Sequence, residues 1–374
     1  MRVRVLTHAL DRTGPPMLAL AAVRAAASLG IEVIELVSLR GGELIGEFAT
    51  DVDVHVVLDP QEPWDHRAVD ADRREALRRR YASAPSADVT VLVSVAAAPV
   101  LDVLPSDALG LLVPWVVEQG EDLHFVSDHP GLATSAVWLA GSHTSAAELR
   151  SILGPGPVIR VTPEFVEAPA PPGDATIAHL RAGLGASSST MLVVGAGIAT
   201  HRKAPDLFIE LAAAVRRRGE SGMLFAWVGG ERDALFWPTV NLARGLGLDN
   251  VRFVGTVPQL DPWLAAADVF AHTARLDAFP LVCLHAAANG TPVVGFSGTG
   301  GTDEMFAEAF CGVPYPDVEG LASTLLGLRE PRRRGEIGGR QRARIREHFT
   351  AEVAAPRLFT VLDEIVSTAL RGVQ

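Results

Sequence analysis

The chain has 374 residues, 48% hydrophobic and 21% charged, with a formal net charge of −11. That length points to two domains rather than one packed core, the apolar share excludes a disordered chain, and the acidity opposes an electrostatic partnership with nucleic acid or anionic lipid. Its two cysteines, Cys283 and Cys311, fall in different expected elements, which excludes a disulfide framework or a zinc knuckle and makes a reducing cytoplasm the expected compartment. The start of the chain has too short an apolar part for a signal peptide, and no apolar run reaches the ~20 residues of a membrane helix, so no integral membrane association is expected. Of 33 Lys and Arg only Lys203 is lysine. Codon bias toward Arg and Ala accounts for that ratio, and it makes the one surviving lysine worth following.

Taken in order, residues 3–7 read as a strand, followed by the turn Thr13-Gly14-Pro15-Pro16 and an Ala/Leu-rich helix ending near Gly30. Further strands are expected over 31–37, 54–58, 89–93, 111–117, 137–140 and 158–161. Strands alternating with helices predict a parallel sheet covered on both faces. The Pro-rich run over 167–173 cannot enter a sheet or helix interior and reads as a linker. The pattern then restarts. Helices are expected over 177–184, 206–218, 239–246, 262–267 and 280–289, and strands over 191–194, 223–228, 251–254, 269–272 and 293–296. Asn289-Gly290 reads as a C-terminal cap before Thr291-Pro292. The arginine runs over 73–80 and 329–346 read as solvated helix faces.

Familiar catalytic patterns fail. Gly195-Ala196-Gly197 lacks the third glycine of a dinucleotide fingerprint and the spacing of a phosphate loop, Gly295-Phe296-Ser297 misses the nucleophile elbow, and no His pair has metal-ligand spacing. Two loops at the carboxyl ends of expected strands remain. One holds His201-Arg202-Lys203-Ala204-Pro205-Asp206, two adjacent cations at a strand-to-helix turn. The other holds Arg275-Leu276-Asp277-Ala278-Phe279-Pro280-Leu281-Val282, a carboxylate ahead of a helix start with free N–H groups. Two cations and a helix N-terminus suit one diphosphate, and hence a nucleotide-activated donor.

These residues, with Trp227-Val228-Gly229-Gly230, Phe253-Val254-Gly255, Asp268-Val269-Phe270 and Asn289-Gly290-Thr291-Pro292, resemble the retaining glycosyltransferases of family 4. The likeness is weaker in the first half, through Leu10-Asp11-Arg12-Thr13-Gly14 and Arg40-Gly41-Gly42-Glu43-Leu44. The resemblance implies an α/β, GT-B architecture: two Rossmann-like domains facing a cleft. It divides the chain into an acceptor-side domain at 1–166, a linker at 167–176 and a nucleotide-sugar domain at 177–349, with a helix in 350–374 crossing back to the first domain. It further implies a nucleotide-sugar substrate, no cofactor and no metal, because cationic side chains and helix dipoles neutralise the diphosphate. Lys203 and Arg202 take that role; surface cations at a helix start are the competing reading.

Asp277 and His285 stand at the two positions where the family carries paired glutamates, Asp277 toward the donor's sugar hydroxyls and His285 toward the ribose. Neutral imidazole offers one acceptor and one donor where a carboxylate accepts twice, so His285 departs from the pattern. A helix-face histidine is the alternative. Val117 stands where many relatives carry a donor-contacting His, and Glu118 beside it is a candidate for touching sugar or acceptor, or else a surface carboxylate. Gly14, Gly229, Val257, Phe279, Pro280, Leu281, Val282, Gly301 and Glu304 complete the implied donor site; for Gly14 an ordinary turn glycine, and for Gly301 and Glu304 a flexible loop with a helix start, compete. The expected function is retaining transfer of a sugar from a nucleoside diphosphate to an unidentified small-molecule or glycan acceptor, with Lys203, Arg202, Asp277 and Glu118 as its catalytic residues. A weak or inactive relative that binds a nucleotide sugar or supports a partner enzyme is the alternative, and a GT-B epimerase a third reading. Base, sugar, acceptor and oligomeric state are not written in the sequence.

Overall fold

The structure, a computed structural model, describes residues 1–58 and 71–372. Val373 and Gln374, the end of the expected terminal segment, lie outside the described residues. The chain divides into two compact units, Met1–Glu167 with Thr350–Gln374, and Ala168–Phe349.

The first unit contains β1 (Arg2–Thr7), α1 (Gly14–Ser28), β2 (Glu32–Ser38), α2 (Ile45–Phe48), β3 (Val54–Val56), α3 (Ala71–Tyr81), β4 (Val89–Val93), β5 (Leu111–Val116), α4 (His124–Asp128), β6 (Val137–Ala140), α5 (His143–Leu153) and β7 (Val158–Val161). Its strands form a parallel sheet in the order β3-β2-β1-β4-β5-β6-β7. β4, Val-Thr-Val-Leu-Val, is buried along its whole length, as a central strand covered on both faces must be. Pro15 and Pro16 sit in the first turn of α1, where a missing N–H costs nothing. Gly30 closes that helix at φ +69°, with its N–H on the Ala27 carbonyl at 3.2 Å and the Ile31 N–H on Ala26 at 2.9 Å, a Schellman turn that sends the chain into β2 beside β1.

The second unit contains α6 (Asp174–Leu184), β8 (Met191–Ala196), α7 (Pro205–Arg217), β9 (Met223–Val228), α8 (Phe236–Gly245), β10 (Val251–Gly255), α9 (Asp261–Ala266), β11 (Val269–His272), α10 (Leu281–Ala288), β12 (Val293–Ser297), α11 (Thr302–Phe306), β13 (Cys311–Pro314), α12 (Val318–Leu326) and α13 (Pro331–His348). Its parallel sheet runs β10-β9-β8-β11-β12-β13. Both sheets therefore wind outward one way for three strands and reverse at the fourth, the Rossmann-like order. Apolar side chains of α7 and α12, among them Phe208, Leu211, Leu321 and Leu325, pack with Phe225, Trp227 and Phe296 of the sheet to make this unit's core. Last comes α14 (Ala351–Gly372), a member of the first unit that packs against α1. Among the described residues no helix is long and apolar enough to cross a membrane.

Several expectations give way to the structure. Asp174, Ala175 and Thr176, expected in the linker, form the first turn of α6, where the Asp174 carboxylate faces the positive end of the helix. The strand expected over 54–58 ends at Val56, although Val57 and Leu58 still donate to Ser38 and Leu39 at 2.9 Å. A 3₁₀ segment at Val95–Asp102 and the strand β13 had no counterpart in the sequence reading, whereas α11 stands where a helix start was one of the readings of the loop around Gly301. β13 carries Pro314 because it is the edge of its sheet, where a missing N–H breaks no ladder. The 329–346 arginine run is not wholly solvated. Arg334 bonds Asp268 at 3.1 Å, and Arg344 bonds the Met305 and Glu304 carbonyls at 2.6 and 2.9 Å.

Candidate functional site

In the second unit the winding reverses between β8 and β11, which pair directly. Open parallel sheets take ligands at the carboxyl ends of such a strand pair. After β8 the chain turns through residues 197–204 and enters α7 at Pro205. Ala204, buried, caps the helix in the left-handed region at φ +52°, with its N–H on the Thr200 carbonyl at 3.0 Å. An alanine there costs about 1–2 kcal/mol. The strained turn is what brings Arg202 and Lys203 to the helix start.

The loop after β11 supplies the partner. Asp277 is fixed through its backbone, its N–H on the Thr299 carbonyl at 2.8 Å and its carbonyl on the Gly301 N–H at 3.1 Å. Its buried carboxylate accepts from Lys203 Nζ at 2.5 Å and from Arg202 Nη1 at 3.4 Å. Arg275 fastens the two loops together with bonds of 2.9 and 2.5 Å to both Asp206 oxygens, while its N–H reaches the Arg202 carbonyl at 2.8 Å. Burial alone would push the Asp277 carboxyl up, yet Lys203 and Arg202 hold it below the usual carboxylate range.

His272 ends β11 with 4% of its surface exposed, and its Nε2 lies 3.6 Å from Asp277 Oδ2 with no hydrogen-bond partner. Burial pushes its pKa down to about 4; Asp277 opposes that shift, and Lys203 and Arg202 add to it. Cys283, wholly buried in α10, has its thiol pushed well above the ordinary value by burial and by Asp277.

The other residues singled out in the sequence fall as follows. Pro280 caps α10 without a side-chain bond, and the first intrahelical donor is Cys283, on the Pro280 carbonyl at 2.9 Å, so the N–H groups of Leu281 and Val282 head the helix. The Phe279 ring is buried against Phe349, centroids 5.4 Å apart, and Leu281 is buried as well. Gly301 is a site of close approach. A Cβ there would stand 2.3 Å from the Ala278 carbonyl oxygen and 2.6 Å from the Phe279 ring. Gly229, at φ +101°, brings its turn against the Gly197 carbonyl, which a Cβ would meet at 2.9 Å. Val257 is half-buried just beyond β10, next to Thr256, whose N–H and hydroxyl bond Glu231 at 2.5 and 2.6 Å. Glu304 lies in α11 and is half-buried. His285 meets Asp261 of α9: its Nδ1 is 3.1 Å from Asp261 Oδ1, which also accepts from Asn289 Nδ2 at 2.9 Å.

Gly14 and Glu118 belong to the first unit. Gly14 is exposed at the start of α1. Glu118, half-buried, accepts from the Ser94 hydroxyl and from the N–H groups of Val95 and Val117 at 3.3 and 3.1 Å. Burial pushes its carboxyl above the ordinary range even though these bonds pull it down. Ser94 leaves β4 at φ +77°. Sequence reasoning passed over His272, Asp261, Ser94 and the Arg275–Asp206 pair. Only Arg275 and Asp206 carried a signal, as charged residues inside the two loops already singled out.

Residues 188–330 match the family described as Glycosyl transferases group 1. A D-inositol 3-phosphate glycosyltransferase of Catenulispora acidiphila is 34% identical over 214 residues, 54% of this chain and 49% of the relative. A GDP-mannose-dependent monoacylated alpha-(1-6)-phosphatidylinositol monomannoside mannosyltransferase of Corynebacterium glutamicum is 25% identical over 236 residues, 59% of this chain and 60% of the relative. The chain spans about half the length of the inositol-phosphate relatives it matches. Anabaena HepE, solved with UDP-glucose, superposes with a TM-score of 0.79 at 18% identity, over 97% of this chain and 100% of that one. Sucrose-phosphate synthase from Thermosynechococcus elongatus gives the same TM-score at 16% identity, over 98% and 100%. The fold is GT-B, two Rossmann-like α/β units, as the sequence resemblance implied.

Proposed function

We propose that the protein is a retaining glycosyltransferase moving a sugar from a nucleoside diphosphate to an acceptor hydroxyl. The observation that carries this reading is the pair Arg202 and Lys203 gathered on one buried carboxylate, Asp277, at the reversal point of the second sheet and inside the stretch matching the family. In this reading Lys203, Arg202 and the N–H groups heading α10 bind the diphosphate and stabilise the charge it gains on departure. They supply the positive charge, so neither metal nor cofactor enters the proposal. The bond from the anomeric carbon to the phosphate oxygen breaks, the acceptor oxygen bonds to the same face, and its proton passes to the departing phosphate oxygen. Asp277 serves the hydroxyls of the donor sugar, and Gly229, Val257, Gly301 and Glu304 belong to the donor site. Within the first unit, Gly14 and Glu118 are the candidates for a part in handling sugar or acceptor. The reading keeps the cytoplasmic location that the cysteine content pointed to.

Turnover with UDP- and GDP-sugars, with inositol 3-phosphate as first acceptor in view of the relatives' names, tests the proposal by product NMR. A product with the anomeric configuration of the donor is expected; an inverted one refutes retention. One observation favours a second reading. His285 stands at a position where the resemblance implies a glutamate, and its ring is engaged by Asp261. A protein that binds a nucleotide sugar in calorimetry and transfers it to nothing would be the inactive relative.

A further inference from the structure

His272 has no part in the proposed chemistry, and its setting is unusual. It is a buried imidazole at the carboxyl end of β11 whose Nε2 has no partner, while the carboxylate 3.6 Å away is held by two cations from another loop. Gly295 of β12 presses against it so closely that a Cβ there would stand 2.6 Å from the His272 carbonyl oxygen. That contact leaves no room beside the backbone of His272, while its ring is buried, stacked at 6.5 Å on Phe270, with the free nitrogen 3.6 Å from Asp277.

The charges in this pocket decide what that nitrogen is for. Without a ligand, Lys203, Arg202 and Asp277 leave a net charge of +1, and a proton on His272 would raise it. The Cys283 thiol also senses Asp277 and Lys203, and burial holds it neutral. A bound diphosphate diester brings two negative charges and draws Lys203 and Arg202 toward itself. The balance passes to −1, and Asp277 loses its partners in a site where an unpaired carboxylate is costly. We infer that His272 is a positioning residue: when a nucleotide sugar takes the two cations, His272 takes up a proton and its Nε2–H donates a hydrogen bond to the Asp277 carboxylate, which keeps that carboxylate in place for the sugar. The proton comes from solvent and rests on Nε2, and no other bond changes. In the unliganded protein the imidazole is neutral, its pKa held at about 4 by burial, so there is a vacancy for that proton near neutrality.

The inference rests on the donor reading, and the test separates the two. UDP-glucose and GDP-mannose are the probes, because a doubly esterified diphosphate has no proton of its own to exchange near neutral pH. Each is titrated by calorimetry at pH 6.0 to 6.5 in buffers of different ionisation enthalpy. The expected result is uptake of a fraction of one proton on binding, growing as the pH is lowered. His272→Gln, whose side-chain amide still donates, should bind with affinity within about threefold of the parent and take up none; His272→Phe should weaken binding roughly tenfold. Binding by the parent without proton uptake overturns the role of His272 and leaves the donor reading standing, and that measurement depends on no variant folding. Failure of the parent to bind any nucleotide sugar overturns the donor reading and this inference together.

Discussion

The two units share a strand order, and they differ in what stands where each sheet reverses. In the second, the loops after β8 and β11 bring Arg202, Lys203, His272 and Asp277 together. In the first, the reversal lies between β1 and β4, which pair through Leu6 and Leu92. Two residues further along each strand stand His8 and Ser94, and Ser94 hands its hydroxyl to Glu118. One unit concentrates cations around an ionised carboxylate, and the other buries a carboxyl whose proton is held more tightly than usual. Topology thus supplies the place in both, and loop residues decide whether it suits an anion. On this ground the second unit is the better place for an anion.

The largest expected effect concerns the buried imidazole of the second unit. His272 has a folded pKa of about 4 against 6.5 when unfolded, so between those values the unfolded chain binds more protons and stability rises with pH. The contribution is complete above about pH 6.5 and is lost as pH falls toward 4, about 3 kcal/mol in all. Asp277, whose folded pKa is depressed, adds a further loss below its unfolded value, at more acid pH. Urea denaturation at pH 7 and pH 5 should show the fall, and His272→Gln should flatten it. An equal slope in parent and variant would mean that the imidazole is solvated rather than buried.

Next in size is Lys203→Ala. It should weaken nucleotide-sugar binding roughly tenfold to a hundredfold, the worth of a charged hydrogen bond of about 1.5–3 kcal/mol. Arg332→Ala, in the exposed part of the 329–346 run where it pairs with Glu336, should change it by less than twofold. Equal calorimetric affinities for the two variants would remove the contrast between the sites.

Much of this was legible in the sequence because it is local. Strand-turn-helix alternation, the glycine caps at Gly30 and Gly290 and the two loops with free helix starts are all written within short windows. The pairings are not. Lys203 and Asp277 lie 74 positions apart, and their meeting depends on β8 and β11 being neighbours, which only the strand order decides. For the same reason Asp261 could not be matched to His285, nor Ser94 to Glu118. The short edge strand β13, Cys-Gly-Val-Pro, went unread since half of it consists of residues that sheets disfavour. Local charge also misled: Arg334 and Arg344 look like solvated arginines by spacing, and each is spent on partners far along the chain.

Gly301→Ala tests whether the loop that carries Asp277 is held by backbone contact. The added methyl meets a carbonyl oxygen and a buried ring at distances below 3 Å, neither of which can swing aside. A loss of about 1–3 kcal/mol is expected, with weaker nucleotide-sugar binding because the Gly301 N–H on the Asp277 carbonyl is displaced. Unchanged thermal stability would show that this loop adapts freely.

The smallest effect is expected at His285, and here the structure reverses the sign that the sequence alone would give. A glutamate at this position restores the residue that the resemblance implies, so by sequence His285→Glu should be tolerated or even improve ribose binding. In the folded chain, however, the ring nitrogen stands 3.1 Å from Asp261, whose carboxyl it helps to hold below its ordinary range against the upward push of burial. A glutamate would set two carboxylates side by side, and one of them would have to hold a proton near neutral pH. His285→Glu should therefore cost about 1 kcal/mol of stability and shift that loss to higher pH, while His285→Ala, which only removes a bond, should cost somewhat less. Adding Asp261→Asn to His285→Glu removes the repulsion and lets an amide donate to the new carboxylate. The double variant should recover the stability, and if position 285 lies beside the ribose it should bind nucleotide sugar at least as tightly as the parent. A double variant no better than His285→Glu alone would mean that Asp261 and His285 are not coupled.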